Sequence, residues 1–263
     1  MKKFLVIGNP IEHSLSPTLH NYWIKKNNID AVYNKKKLDI SGLENLIKEV
    51  KEKKIDGINV TVPFKNSVIP FLDKLSNEAK KTQSVNTIYL KDKMVVGHNT
   101  DIEGFELAIK NINYNVNGKK VLLLGAGGVS PSIIVALNNM KAKKIFLSNR
   151  TLVKAENLKK NFDEVEIIKW GTFPDFDMII NATSLGLNSD DSIDLDYTRI
   201  ASGKFFYDVI YNPSETNFLK SAKKFRNKTE NGKKMFIYQA QASFKIWNNL
   251  LPEIDNDVME LLN

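Results

Sequence analysis

Among the residues of this chain, Lys65 has the sequence context that best fits a catalytic residue. It follows residues 55–62, whose β-branched content and alternation predict a strand with Asn59 and Thr61 on one face. Pro63 should end that strand, because proline has no N–H to donate to a sheet. A lysine beside polar groups just past a strand end can lose solvation in a cleft, and its ammonium can then serve as a proton donor. The alternative is an ordinary surface lysine, since lysine supplies all but three of the 38 basic residues.

A glycine-rich turn is the second feature that could form part of a functional site. The apolar run that ends at Leu124 is typical of a central parallel strand, and residues 133–140 have a helical apolar pattern. Between them, Gly125 permits a tight turn and Gly127 lets backbone approach a pyrophosphate, whose charge the helix N-terminus attracts. Ser130 stands where the dinucleotide-binding pattern expects its third glycine, so the match to that pattern is incomplete.

The next predicted strand, residues 144–148, indicates which dinucleotide is bound. In an NAD-binding fold an acidic residue at the end of this strand accepts the ribose hydroxyl, whereas this chain has Asn149, Arg150 and Thr151. The missing carboxylate predicts NADP. Arg150 could hold the 2′-phosphate in a charge-assisted fork and stack on the adenine. The alternative is an arginine that merely caps the strand end.

Strands and helices alternate in this part of the chain. The predicted elements that follow are a helix between residues 152 and 160 and strands at 165–169, 176–181 and 204–209. This alternation predicts a doubly wound parallel sheet.

Composition limits the classes of protein and of site. A chain of 263 residues, 42% hydrophobic and 26% charged, suits one large or two ordinary domains. The absence of cysteine excludes disulfides, thiolate zinc sites and a cysteine nucleophile, and three scattered histidines, His13, His20 and His98, offer no transition-metal cluster. The N-terminal apolar run is too short for a signal peptide, and no stretch approaches a membrane span. We therefore expect a cytoplasmic protein with no metal and no membrane contact.

The formal charge of +8 makes nucleic-acid binding the rival class. The excess is almost all lysine, spread along the chain as pairs and triplets, whereas nucleic-acid recognition favours arginine forks and aromatic platforms. The charge is better explained by a basic proteome or by anionic small molecules. No nucleic-acid partner is expected.

Six segments, in this order and spacing, resemble the shikimate dehydrogenase family. They are Gly8 to Pro17, Asn59 to Lys65, Ser84 to Thr87, Gly97 to Gly104, Gly125 to Gly128 with Asn149 to Thr151, and Gln239-Ala240. The resemblance runs nearly end to end. It implies an α/β substrate-binding domain of residues 1–102 plus 236–263 and a Rossmann-type NADP domain of residues 103–235, with the active site in the cleft between them.

The resemblance also assigns roles to residues. It makes Lys65 and Asp101 the catalytic pair. The residues that it places at the substrate are these two with Ser14, Ser16, Thr61, Asn86, Tyr211 and Gln239. The residues that it places at NADP are Gly125, Ala126, Gly127, Gly128, Val129, Asn149, Arg150, Thr151, Thr183 and Met235. Lys234 departs from the family pattern, which often has a glycine there.

The implied reaction is NADPH-dependent reduction of 3-dehydroshikimate to shikimate by a monomer or homodimer. Reduction of a ketone leaves charge on oxygen, which Lys65 could neutralise while Asp101 orients the ammonium. The alternatives are helix N-capping by Asp101, and by Ser14 or Ser16 before the helix that follows Pro17. The alternative functions for the whole protein are a quinate/shikimate dehydrogenase, a paralogue acting on another cyclic hydroxy acid, and a noncatalytic sensor. A sensor should have lost the Lys–Asp pair.

Overall fold

A computed structural model describes residues 1–188 and 190–262. The strands are β1 Lys2–Gly8, β2 Ala31–Lys37, β3 Gly57–Val60, β4 Lys74–Leu75, β5 Thr87–Lys91, β6 Met94–His98, β7 Lys120–Leu124, β8 Lys144–Ser148, β9 Val165–Ile168, β10 Met178–Asn181, β11 Phe205–Asp208 and β12 Lys228–Glu230. The α-helices are α1 Ser16–Lys26, α2 Leu43–Lys51, α3 Phe64–Ser67, α4 Asn77–Thr82, α5 Asp101–Asn111, α6 Ser130–Asn139, α7 Leu152–Lys159, α8 Asn217–Lys224, α9 Lys233–Asn248 and α10 Asn256–Leu261.

The chain divides into two compact units, Met1–Gly104 with Ile237–Asn263, and Phe105–Phe236. The chain leaves the first unit within α5 and returns to it within α9. None of the helices in the described part of the chain combines the length and the apolar character needed to cross a membrane.

The first unit is built on a mixed sheet of strand order β2-β1-β3-β5-β6-β4. β1 pairs in parallel with β2 and β3, and β5 runs antiparallel to both β3 and β6. Helix α2 covers this sheet through Leu43, Leu46, Ile47 and Val50, which recur at helical spacing and are all buried in one cluster with strand residues such as Ile58.

Helix α9 packs against the same unit through its aromatic side chains. The Trp247 ring stacks on Phe4 at 4.9 Å between centroids, and its Nε1–H donates to the Ile88 carbonyl at 3.1 Å. A Cβ at Gly57 would lie 2.3 Å from Trp247 Nε1, so only glycine leaves room for this ring over β3. Phe244, one turn earlier, is also buried.

The second unit contains the doubly wound parallel sheet that the sequence predicts, in the order β12-β11-β10-β7-β8-β9. Residues 121–124, 145–148 and 178–181 are buried along their whole length, as expected of central parallel strands. The strand predicted at residues 144–148 is confirmed, and the three predicted after it are confirmed with one or two residues fewer at their ends.

The strand predicted over residues 55–62 is wrong at both ends, because β3 covers only Gly57–Val60. Thr61 N–H still donates to the Ile7 carbonyl, but Phe64 N–H turns back to the Thr61 carbonyl. Val62 is consequently 60% exposed. Pro63 cannot continue the ladder, so the chain turns into the short helix α3, and Lys65 belongs to that helix.

Candidate functional site

Lys65 and Asp101 form a buried ion pair. Lys65 Nζ lies 2.5 Å from Asp101 Oδ2, and the two residues are only 8% and 5% exposed. Helix α3 presents the lysine and the first turn of α5 presents the aspartate. Removal of either partner would leave the other as an uncompensated buried charge, so a pair in this position holds its geometry firmly.

Asn86 and Gln239 lie beside this pair. Asn86 Nδ2 donates to Asp101 Oδ1 at 2.9 Å and approaches Gln239 Oε1 at 3.4 Å. The two oxygens of Asp101 therefore have different partners, an ammonium on one and an amide on the other. The structure thus brings together four of the residues predicted to act on the substrate: Lys65, Asp101, Asn86 and Gln239.

The helix-capping role considered for Asp101 belongs to Asn99. Asn99 Oδ1 accepts hydrogen bonds from the backbone N–H groups of Asp101 and Ile102, at 3.0 and 3.3 Å. The Asp101 carboxylate is consequently available to Lys65 and Asn86.

Ser14, Ser16 and Thr61 lie in the first unit near the end of β1. Ser14 Oγ accepts from Ser16 N–H at 3.3 Å, but the N-cap residue of α1 is Leu15 and its cap has no side-chain hydrogen bond. Thr61 passes so close to the end of β1 that a Cβ at Gly8 would lie 2.6 Å from its Cγ2. Among the described residues, none of the three side chains hydrogen-bonds to Lys65 or Asp101.

The glycine turn of the second unit has one glycine required by packing and one that faces open space. Gly125 has φ +107°, and a Cβ there would lie 2.8 Å from the Ala182 carbonyl oxygen. A Cβ at Gly127 would meet nothing closer than that same oxygen at 4.0 Å. The chain itself therefore does not require glycine at 127, which fits a position kept clear for a ligand. Gly128 and Val129 connect this turn to α6.

Ser130, at the missing third glycine, closes the turn. Its Oγ donates to the Gly125 carbonyl at 2.9 Å and accepts from Gly127 N–H at 3.1 Å. The incomplete glycine pattern is thus compensated by a hydroxyl that holds the loop in shape.

Asn149, Arg150 and Thr151 follow β8 as predicted. Asn149 Oδ1 accepts from Ala126 N–H at 3.0 Å and its Nδ2 donates to the Thr151 carbonyl at 2.7 Å, which ties this segment to the glycine turn. Arg150 is exposed and has no hydrogen bond or ion pair with any described residue. An unpaired guanidinium, an open Gly127 and the absence of a carboxylate at 149–151 together fit the 2′-phosphate and pyrophosphate of NADP.

Asp208 and Asn181, which sequence reasoning missed, shape the loops that carry Thr183 and Tyr211. Asn181 Oδ1 accepts from Thr183 N–H at 3.0 Å, and its Nδ2 donates to Asp208 Oδ1 at 3.0 Å. The same Asp208 oxygen accepts from Ile210 N–H at 3.0 Å. The signal available in the sequence was a polar residue at the end of each of these two strands, β10 and β11, at the edge where ligands bind in such sheets.

Aromatic and apolar packing holds the remaining predicted residues. The Tyr211 ring stacks on Phe236 at 4.3 Å between centroids, and Met235 is buried. Lys234 Nζ lies 3.6 Å from Glu230 Oε1, so the residue that departs from the family pattern forms an ion pair with the last residue of β12. No group of three or more potential metal ligands occurs among the described residues.

Burial gives Asp208 a pH-dependent effect on stability. Loss of solvation raises its pKa from 3.8 to about 6, although hydrogen bonds from Thr216, Ile210 and Asn181 oppose the shift. A raised pKa favours folding below the unfolded-state pKa, and that contribution disappears as pH rises through about 6. The wild-type protein and Asp208→Asn differ in their free energies of unfolding. We expect this difference, wild type minus variant, to be about 2 kcal/mol larger at pH ~4 than at pH ~7.5. Urea titrations at both pH values measure it, and a pH-independent difference would contradict the assignment.

The family model for the shikimate dehydrogenase substrate binding domain matches residues 6–88, and the model for shikimate / quinate 5-dehydrogenase matches residues 106–188. The chain is 60% identical to a shikimate dehydrogenase (NADP(+)) of Pelagibacter ubique over 262 residues, covering 100% of this chain and 99% of that protein.

Solved structures agree with this comparison. A shikimate dehydrogenase in complex with NADP+ superimposes with a TM-score of 0.93 at 34% identity, covering 100% of this chain and 94% of that one. The enzyme of Thermus thermophilus in complex with NADP(H) and shikimate gives a TM-score of 0.90 at 30% identity, with 100% and 98% coverage.

Proposed function

Because the chain belongs to the shikimate dehydrogenase family, we propose that it catalyses the reversible NADPH-dependent reduction of 3-dehydroshikimate to shikimate, a step of aromatic amino-acid biosynthesis. The observation that carries this proposal is the buried Lys65–Asp101 pair, with Asn86 and Gln239 beside it. A noncatalytic sensor would have no need to bury this pair. We propose that the protein acts on small molecules in the cytoplasm, as a monomer or homodimer.

Lys65 is the proposed proton donor in this reaction. NADPH, when bound, supplies the hydride that adds to the carbonyl carbon of the substrate. As the C=O bond becomes a C–O single bond, its electron pair moves to oxygen, which takes a proton from the Lys65 ammonium. Asp101 Oδ2 holds that ammonium in place, and in the reverse direction Lys65 accepts the proton from the alcohol.

Five polar residues of the first unit and Tyr211 of the second are the other proposed substrate contacts. Asn86 and Gln239 lie within reach of the catalytic pair and would bind ring hydroxyls. Ser14, Ser16 and Thr61 would bind the carboxylate and a ring hydroxyl, because short hydroxyl side chains can hydrogen-bond both. Tyr211, stacked on Phe236, would approach the ring.

The second unit would hold NADP. The residues proposed to contact it are Gly125 to Val129, Asn149, Arg150, Thr151, Thr183 and Met235. Gly127 gives the pyrophosphate an open approach, and Arg150 offers its guanidinium to the 2′-phosphate.

A direct assay of the purified protein, which follows NADPH formation, tests the function. We expect NADPH to form when shikimate and NADP+ are supplied together, and much less product when NAD+ replaces NADP+. Tight binding of shikimate without any turnover would instead support the sensor. Because one matching family model is described as shikimate / quinate 5-dehydrogenase, quinate is the second substrate to assay.

Replacing Arg150 with alanine should change the choice of cofactor. We expect Arg150→Ala to raise KM for NADP by ~10-fold or more, the size of a lost charged hydrogen bond, and to leave KM for NAD nearly unchanged. Initial rates at saturating shikimate measure both constants. Arg199→Ala is the matched control, since Arg199 is another exposed arginine of the same unit. Equal rises for NADP and NAD would show that Arg150 is structural.

A further inference from the structure

A buried polar network adjoins Asp101 through Asn86, which contacts the carboxylate oxygen that does not face Lys65 Nζ. We name it the Asn59 network; its members are Asn59, Asn86, Thr87, Thr100 and Ser243, and all five are buried. Thr87 and Ser243 are 0% exposed. A cluster of hydroxyl and amide groups at this depth is costly unless every member is hydrogen-bonded, so its contacts show what it holds in place.

Asn59 ties three strands and one helix together. Its Oδ1 accepts from the Tyr33 hydroxyl at 2.7 Å, and its Nδ2 donates to Ser243 Oγ at 3.0 Å and to the Asn86 carbonyl at 3.1 Å. Tyr33 lies on β2, Asn59 on β3 and Ser243 on α9, and Asn86 immediately precedes β5. The amide of Asn59 thereby sets the register of α9, which carries Gln239, against the sheet.

Thr87 and Thr100 fix the orientation of the Asn86 amide. Asn86 Oδ1 accepts from Thr100 N–H at 2.8 Å and from Thr87 Oγ1 at 3.0 Å. With its oxygen held there, the Nδ2 group must face the Asp101 carboxylate. A reversed amide would place the Asn86 oxygen against the Asp101 oxygen, which repels it.

The Thr87 hydroxyl can be removed with little change of side-chain shape, and the loss then falls on its partners Asn86 and Ser243. At a fully buried strand position, valine has nearly the same shape as threonine and leaves no polar atom to satisfy. Thr87 contacts Ser243 Oγ at 2.8 Å as well as Asn86, which joins the α9 end of the network to the catalytic end.

We propose that Thr87 is a positioning residue: its hydroxyl, supported by Asn59 and Ser243, orients Asn86, and Asn86 in turn holds the Asp101 carboxylate against Lys65. The inference rests on the proposed function, because it assigns Thr87 a role in the same reaction. Activity of the wild-type protein is therefore measured first, and its absence would count against the function and not against the network.

The test compares two substitutions of one residue. Thr87→Val keeps the shape and removes the hydroxyl, and we expect kcat for shikimate oxidation to fall ~10-fold with KM for NADP unchanged, since small misplacement of reacting groups is costly. Thr87→Ser keeps the hydroxyl, and we expect its kcat to stay within about 2-fold of wild type. Ile88→Val, the next residue of β5 and also fully buried, is the control for ordinary loss of packing.

Three outcomes would overturn the proposal. Thr87→Val could match Ile88→Val in melting temperature while keeping wild-type kcat, in which case the hydroxyl is only structural. Thr87→Ser could lose as much kcat as Thr87→Val, in which case the methyl group matters and the hydroxyl does not. KM for NADP could rise in parallel with the loss of kcat, which would indicate general disruption. If Thr87→Val does not fold, Thr87→Ala compared with Thr87→Ser decides the same question.

Discussion

Replacing Lys65 with alanine is expected to lower kcat for shikimate oxidation by at least ~100-fold while KM for shikimate changes little, the pattern expected when a general acid or base is lost. The ammonium is needed where charge develops on the substrate oxygen, so its removal affects the reaction more than ground-state binding. Steady-state rates over a range of shikimate concentrations separate the two constants.

The same substitution leaves Asp101 buried without its partner, which costs about 3–5 kcal/mol in comparable pairs. Circular dichroism at the assay temperature must therefore show that the variant is folded. Lys51→Ala is the matched control, because Lys51 pairs with Asp73 at 2.9 Å on the surface, where the lysine is 56% exposed. A kcat for Lys65→Ala within a few-fold of wild type would remove Lys65 from the mechanism.

Shikimate should exceed quinate in kcat/KM by at least ~100-fold. Quinate carries an extra hydroxyl on the carboxylate-bearing carbon and has a saturated ring, so that carbon is tetrahedral and bulkier. Ser14 and Ser16 are the groups proposed at this end of the substrate, and a mismatched ligand there leaves polar groups unpaired or clashing. Initial rates measured with each acid separately, at saturating NADP, give the ratio of the two kcat/KM values.

Ser14→Ala is the variant that tests the reason for this discrimination. Loss of a hydroxyl that pairs with shikimate but not with quinate should narrow the ratio of the two kcat/KM values, mainly by lowering the value for shikimate. Equal kcat/KM values for the two acids in the wild-type protein would favour the quinate/shikimate alternative, while leaving the fold and the Lys65–Asp101 pair as described.

Local pattern was sufficient to predict five of the six strands of the sheet in the second unit, all except β12. Residues 121–124 and 145–147 are apolar, and the glycines at 125 and 127 mark the turn that follows the first of these runs. The strand before Lys65 was harder to delimit, because Thr61 still makes a sheet-like hydrogen bond after the strand has ended. A tertiary contact of that kind has no local signature.

The Lys65–Asp101 pair and its supports differ in how far the sequence could reveal them. The pairing was expected only through the family resemblance, since the two residues are 36 positions apart. The Asn59 network could not be predicted, because Ser243 lies 184 positions from Asn59 and a serine within a helix is usually a surface residue. Asn59 and Thr87, polar residues within apolar strands, were the one available signal.

The placement of Trp247 over Gly57 affects the order in which the protein can be completed during synthesis. β1 and β3 leave the ribosome early, but the indole that covers Phe4 and Gly57 is translated only after the whole of residues 105–236. At ~5–20 residues per second, this delay is on the order of 10 s. The second unit is continuous in sequence, so its synthesis occupies that whole interval. Until Trp247 is translated, the nascent first unit exposes the face of the Phe4 ring that the indole covers in the folded protein.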